Sequence, residues 1–318
     1  MFEKILVPLD GSALAECALP HAITMAHAFD SAVFLVRVLE RPGSTADHPI
    51  NLLDWELQKN EAAAYLRRTG QALLDQNVAC HEVLMEGDAA ERLVDYLEEE
   101  DIDLVVLSSH GRSGANRWNT GSVMHKIVQS ARRSVLIVRA DPAGSGRVPE
   151  AARYRRLFVP LDGSPRAECA FNSALPLARH MQADLIVGSV IARPELPFQM
   201  ELTAADRAAS NHVADRSQAI VSKYLESLRQ RHPEQVKTTI RSNDNIAAAL
   251  HDMAEAEKAD LMILCAHGFS GEKNWPYGSV TMMFIEYGHT PLLVIQDMHR
   301  EPTDVPGDEA GQRFAKGR

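Results

Sequence analysis

Residues 156–171, RLFVPLDGSPRAECAF, repeat residues 4–19, KILVPLDGSALAECAL, at a shift of 152. The repeat sets Asp162 on Asp10, Ser164 on Ser12 and Cys169 on Cys17. A second pair of stretches, SSHGRSGANRWNTGS at 108–122 and CAHGFSGEKNWPYGS at 265–279, matches at a shift of 157, with nine residues between His-Gly and Gly-Ser in both. A chain that carries the same two devices twice, in the same order, is constrained to fold as two similar units. Its 318 residues, 45% of them hydrophobic, suffice for two ordinary cores.

Within each copy, short apolar runs alternate with amphipathic stretches. In the first, residues 4–9 read as a strand ended by Asp10-Gly11-Ser12, followed by a helix N-capped by Ser12 and kinked at Pro20. A strand at 32–40, a long helix at 54–76, a strand at 80–85 and a helix at 89–100 follow, the last opened by Gly87-Asp88. A strand at 103–108 leads into the glycine loop. Val123, Met124, Ile127, Val128 and Ala131 then share one helical face, and the copy closes on a strand at 134–140. The second copy has the same order, with five extra residues expected near its long helix at 206–231 and a final strand at 291–297. Alternation with short links implies parallel sheets covered by helices on both faces. The expected units are residues 1–141 and 153–297, joined by a linker at 142–152 and followed by a polar, disordered tail at 298–318.

A strand that ends in glycine and re-enters as a helix presents unpaired N–H groups and the positive end of the helix dipole, which favour an anion such as phosphate. That site has to be local, because a net charge of −10 and a pI near 5.7 exclude a general nucleic-acid or anionic-membrane binder. No apolar run reaches the length of a membrane span and no basic leader precedes the first strand, so the expected location is cytoplasmic. The four cysteines, Cys17, Cys80, Cys169 and Cys265, have no C-x-x-C spacing. They signal neither a zinc site nor a redox pair, and buried reduced thiols are the expectation. The phosphate-binding motif G-x-x-x-x-G-K-[ST] is absent, as is a G-x-G-x-x-G after the first strand.

The two V-P-L-D-G-S segments, each with its His-Gly, nine residues and Gly-Ser loop, resemble the universal stress protein family over about residues 2–140 and 154–297. Family members write the loop G-x-x-G, nine residues, then G-S or G-T; here Ser108 and Cys265 stand in the first glycine position. The resemblance implies an α/β fold of two flavodoxin-like, or adenine nucleotide alpha hydrolase-like, domains. Each is a five-stranded parallel sheet of order 3-2-1-4-5, with ligands at the switch point between strands 1 and 4. It also implies ATP or another adenine nucleotide as ligand, with Mg2+ on the phosphates. By position, Pro8, Asp10 and Val38 would surround adenine and ribose, and Ser108, Gly111, Arg112, Gly121, Ser122 and Val123 would line the phosphate end. The second set is Pro160, Asp162, Val190, Gly268, Gly278, Ser279 and Val280. Family dimers join their fifth strands. The apolar last strands of this chain, edges that soluble proteins cover, are therefore expected to pair within one chain as a pseudo-dimer; a homodimer of the whole chain stays possible.

Several residues keep two readings. Asp10 is a nucleotide acceptor or a turn-and-cap residue. His110 and His267 touch phosphate or act as a base, or else fix their loops, the second reading being preferred because spacing places no carboxylate beside them. Arg112 is a phosphate ligand or a solvated cation, and Trp118 and Trp275 pack under the loops or stack on a base. No general base is placed, so at most a slow ATPase is expected. The functional alternatives are a nucleotide-dependent regulator acting on unknown protein partners, or an interaction module whose sites stay empty. The first site is expected to bind better. Arg112 there corresponds to Phe269 in the second half, Gly87 to Asp244 and Asn119 to Pro276, while Lys273 in place of Asn116 partly offsets these changes.

Overall fold

The computed structural model describes residues 1–40, 52–109, 123–130, 132–139, 150–192, 203–232, 236–268 and 276–297. The expected tail, residues 142–149 of the linker and Ala131 lie outside these. The first half runs β1 (Lys4–Pro8), α1 (Ala13–Glu16), α2 (Leu19–Phe29), β2 (Ala32–Leu39), α3 (Leu52–Leu74), β3 (Cys80–Glu86), α4 (Ala89–Glu99), β4 (Leu104–Ser108), α5 (Val123–Ser130) and β5 (Ser134–Val138). The second half follows with β6 (Arg156–Pro160), α6 (Glu168–Met181), β7 (Asp184–Ile191), α7 (Ala204–Arg231), β8 (Val236–Ser242), α8 (Ile246–Ala256), β9 (Leu261–Cys265), α9 (Ser279–Tyr287) and β10 (Leu292–Ile295).

Local chemistry explains most boundaries. Ser12 caps α1, its Oγ accepting from the Ala15 N–H at 3.2 Å. The single kinked helix expected after it is two helices. Pro20 falls in the first turn of α2, where a missing N–H breaks no helical bond, so the break lies upstream at Cys17-Ala18. Asp30 and its counterpart Gln182 end α2 and α6 in the left-handed conformation. Of the five extra residues in the second half, four lie between β7 and β8, and the fifth lies in the turn after β8. Gly87 N–H donates to Leu39 O and Asn243 N–H to Ile191 O, so the counterpart of Gly87 is Asn243 and Asp244 is the insertion.

The strands form one ten-stranded sheet of order β3-β2-β1-β4-β5-β10-β9-β6-β7-β8. Each half contributes the order 3-2-1-4-5, all parallel, and the halves join where β5 and β10 pair antiparallel, with Leu136 opposite Leu293. The expected pseudo-dimer is therefore a continuous sheet. Alternating side chains build a core on each face: Ile5, Val7, Leu35, Val159 and Leu293 lie in one, and Leu6, Val36, Val105, Phe158 and Val294 in the other. Both cores cross the β5–β10 seam.

Polar contacts at the seam fix its register. Arg139, just after β5, donates to the carbonyls of Phe284 (2.7 Å) and Ile285 (3.2 Å) and so caps the end of α9. Burial pulls its guanidinium down to about 10, which leaves it charged at neutral pH. Ser134 Oγ accepts from the Gln296 N–H at 3.1 Å. On the other side of the sheet α2 packs against α6 and the segment before β6: Thr24 Oγ1 donates to Ala152 O at 2.7 Å, and the Tyr154 hydroxyl and His21 Nδ1 share a hydrogen bond.

Burial lowers His21 from 6.5 to about 4, so the folded chain keeps it neutral where the unfolded chain protonates it. With the folded value depressed, the unfolded state binds the extra proton below pH 6.5, and stability falls as pH drops from 6.5 towards 4. Between pH 7 and 5 the wild type should lose up to about 2 kcal/mol more than His21→Phe in chemical denaturation. Parallel pH profiles for the two proteins would remove His21 from the interface energetics.

Candidate functional site

The crevice in each half begins at a proline. Along β1 every residue from Lys4 to Pro8 is in register with β2, but only Ile5 and Leu6 are in register with β4. Successive N–H groups of a strand point to opposite neighbours. Leu9 N–H bonds Val36 O on the β2 side, so the missing N–H of Pro8 is the one that would have faced β4. Pairing stops there and the strands diverge. The second half repeats this: β6 meets β9 at Leu157 and Phe158 alone, Leu161 N–H bonds Gly188 O, and Pro160 removes the donor towards β9.

Around the second crevice the described residues reach Gly268 on one side of the glycine loop and resume at Pro276 on the other. Asp162 Oδ1 accepts from the Ser164 N–H at 2.9 Å, with Gly163 between them at φ 80°. This turn aims Asp162 Oδ2 across the crevice at Gly268, so close that a β-carbon on Gly268 would overlap it. Gly278 N–H donates to Ala266 O at 2.8 Å, which places the start of α9 beside the segment Ala266-His267. Gly278 is the N-cap and supplies no side-chain acceptor, and Ser279 in the first turn is exposed. Val190 and Val280 border the same core cluster beneath. Asp162, Gly268, Gly278, Ser279 and Val280 thus meet at one sheet edge, with Pro160 at the base.

Two groups here escaped the sequence. His267 was expected to lack a carboxylate, yet its Nδ1 lies 2.7 Å from Asp297 Oδ1, and Arg166 Nε lies 3.6 Å from Asp297 Oδ2. The histidine is 1% exposed, so the pair ties the loop to the end of β10 and the start of α6. Aligning the halves offers a signal, since Ala140 and Leu14 stand where Asp297 and Arg166 do. The second group is a pair of thiols: all four cysteines are free, as expected, though only Cys265 is buried, and the sulfurs of Cys169 and Cys265 lie 2.9 Å apart.

In the first crevice, Asp10 Oδ1 accepts from the Ser12 N–H at 2.8 Å, and Gly11 has φ 81°. The turn role is real in both halves and engages one carboxylate oxygen. Arg37, not anticipated, crosses this turn: a β-carbon on Gly11 would lie 3.2 Å from its Nη1, and its guanidinium sits 5.2 Å from the Tyr65 ring centroid. The counterpart of Arg37 is Ser189, and a β-carbon on Gly163 would meet nothing within 4 Å. Val38 and Val123 flank the same core cluster, and Ser108 ends β4. Gly111, Arg112, Gly121, Ser122, His110, Asn116, Trp118 and Asn119 lie outside the described residues, as do Phe269, Lys273 and Trp275 in the second half.

A family model described as the universal stress protein family matches residues 1–139 and again 153–296. The chain belongs to the universal stress protein family. A universal stress protein of Methanocaldococcus jannaschii is 30% identical over 142 residues, covering 44% of this chain and 83% of its own. One from Mycolicibacterium smegmatis is 24% identical over 307 residues, covering 92% of this chain and 96% of its own. Among solved structures, a universal stress protein from Archaeoglobus fulgidus superposes with a TM-score of 0.64 at 17% identity, over 93% of this chain and 98% of that one. A putative universal stress protein from Pseudomonas aeruginosa gives 0.66 at 14%, over 92% and 93%. These two share the fold of the whole tandem chain. Among the described residues, no helix is long and apolar enough to cross a membrane, and no three His, Cys, Asp or Glu side chains are grouped to hold a metal ion.

In this universal stress protein the second crevice brings a helix start, a glycine and an aspartate together. Helix α9 starts without a side-chain cap, Ser279 in its first turn is exposed, and Gly268 lies against Asp162. Gly268→Ala should force Asp162 off Gly268 and weaken its bond to Ser164, lowering stability by about 1 kcal/mol in chemical denaturation. In an Asp162→Ala background the same substitution should cost nothing further, as expected of touching residues. An unperturbed Gly268→Ala protein would mean that the two walls are not in contact.

Proposed function

We propose that this tandem universal stress protein binds an adenine nucleotide, ATP with Mg2+ on its phosphates, in the crevice of one or both domains. Occupancy would change its contacts with other proteins, within the cytoplasm. The observation that supports this best is the meeting of Asp162, Gly268 and the N-terminus of α9 at the switch point. There, Asp162 accepts from ribose or adenine donors, the apolar side chains of Pro160 and Val190 flank the base, and Gly268, Gly278, Ser279 and Val280 hold the phosphates through backbone donors and one hydroxyl. In the first domain the same roles fall to Pro8, Asp10, Val38, Ser108, Gly111, Arg112, Gly121, Ser122 and Val123. The bound metal would neutralise phosphate charge and draw its remaining ligands from water.

The first site should be the tighter one. Arg37 places a cation against the Asp10 turn, whereas the second domain has serine there. Asp297 adds a buried carboxylate beside His267, where the first domain has alanine. Both differences disfavour polyphosphate in the second site. Sequence spacing places no general base at the phosphate end, so the reading is of a binding protein whose hydrolysis, if measured, is slow.

Calorimetric titration of the full chain with MgATP should show one tighter site, abolished by Asp10→Ala and weakened less by Asp162→Ala. Ser279→Ala should weaken the second site about fivefold, roughly one hydrogen bond. Absence of binding at millimolar MgATP contradicts the nucleotide reading; an equal or larger effect of Asp162→Ala contradicts the ranking of the sites.

A further inference from the structure

Cys169 lies in the first turn of α6, and Cys265 ends β9, immediately before Ala266-His267-Gly268. Their sulfurs are 2.9 Å apart, the Cys169 thiol donating to Cys265. A disulfide bond is about 2.05 Å long, so closing one here requires a movement of about 0.9 Å by side chains that already point at each other. In sequence the two are 96 residues apart, which hides them from any spacing rule. In the first half the counterparts are Cys17 and Ser108, and Cys17 instead donates to the Ala13 carbonyl at 3.4 Å.

We propose that Cys169 and Cys265 form a reversible disulfide on exposure to a peroxide, making the α6–β9 junction a thiol modification site that the first domain lacks. Cys169 is the half-buried partner and meets the oxidant; Cys265 is buried and resolves. The Cys169 thiolate attacks one oxygen of hydrogen peroxide and the O–O bond breaks, leaving a sulfenic acid and hydroxide, which the displaced thiol proton converts to water. The Cys265 sulfur then attacks Cys169 Sγ, the S–O bond breaks, and hydroxide leaves with the Cys265 proton as a second water. Two thiols have lost two electrons to one peroxide. Contact with Cys169, reinforced by burial, pushes the Cys265 thiol well above its ordinary range, so it carries its proton up to that second step. A dithiol reductant reverses the bond by two exchanges.

The bridge would staple the first turn of α6, which follows the Asp162 turn, to the strand end that leads into Gly268. Any effect on a ligand there rests on the nucleotide reading above; the bond itself does not, and the test reads the bond. Full-length protein is treated with a small excess of hydrogen peroxide, its remaining thiols are alkylated, and it is digested without reductant. The Cys169 and Cys265 peptides should be recovered as one species lighter than their sum by two hydrogens, and dithiothreitol should separate them. In Cys265→Ser, which copies the first half, Cys169 should instead advance to sulfinic acid, as expected of a thiol without a resolving partner. Two separately alkylated peptides from the peroxide-treated wild type, or sulfinic Cys169 beside alkylated Cys265, would overturn the proposal.

Discussion

Three opposed residue pairs, Val135 with Val294, Leu136 with Leu293 and Ile137 with Leu292, hold two five-stranded sheets together as one. In the order 3-2-1-4-5 the fifth strand is an edge, and an apolar edge is a template for aggregation unless covered. Antiparallel pairing of β5 with β10 satisfies both edges at once, and the buried side chains on either face let the two cores merge. Arg139 adds direction to the seam, because its guanidinium reaches the last carbonyls of α9 only when the strands are in this register.

That pairing determines where the sites lie. Within each half all strands are parallel, so antiparallel joining sends the carboxyl ends of the two halves to opposite edges of the sheet. The crevices face away from each other and each belongs to one domain. They are nevertheless connected physically. Helix α9 begins at Gly278 in the second crevice and ends on Arg139, one residue beyond β5 on the edge of the first. At each crevice a proline interrupts the ladder between the first and fourth strands, and in the second Gly268 lies pressed against Asp162 of the neighbouring turn.

Most of this was legible in the residues. Apolar runs ended by Asp-Gly-Ser or His-Gly specify buried parallel strands and their carboxyl ends, and repetition of the two motifs specifies two domains. The strand order and the seam required the family resemblance, because periodicity says nothing about which strands are neighbours. Tertiary contacts between distant residues were not legible: Asp297 reaches His267 across 30 residues, Cys169 meets Cys265 across 96, and Arg37 covers Gly11 from the adjacent strand. Each is peculiar to one half, so a reading based on what the halves share passes over them. Pro20 misled because its position within the helical turn, not its presence, decides whether a helix kinks or starts. Asp244 misled because constant-shift alignment cannot show a one-residue insertion inside a turn, whereas the bonds of Gly87 and Asn243 to matching carbonyls do.

In the proposed complex, backbone N–H groups at the start of the helix after each glycine loop hold phosphate. Amide hydrogen exchange of the full chain, with and without MgATP, reads those groups directly. Added nucleotide should slow exchange at Ser279 and Val280 and at Ser122 and Val123, more strongly in the first domain, while the β5–β10 amides, already buried in the seam, stay unchanged. Unaltered exchange at both helix starts, under conditions where nucleotide is bound, would place the ligand elsewhere and contradict the account.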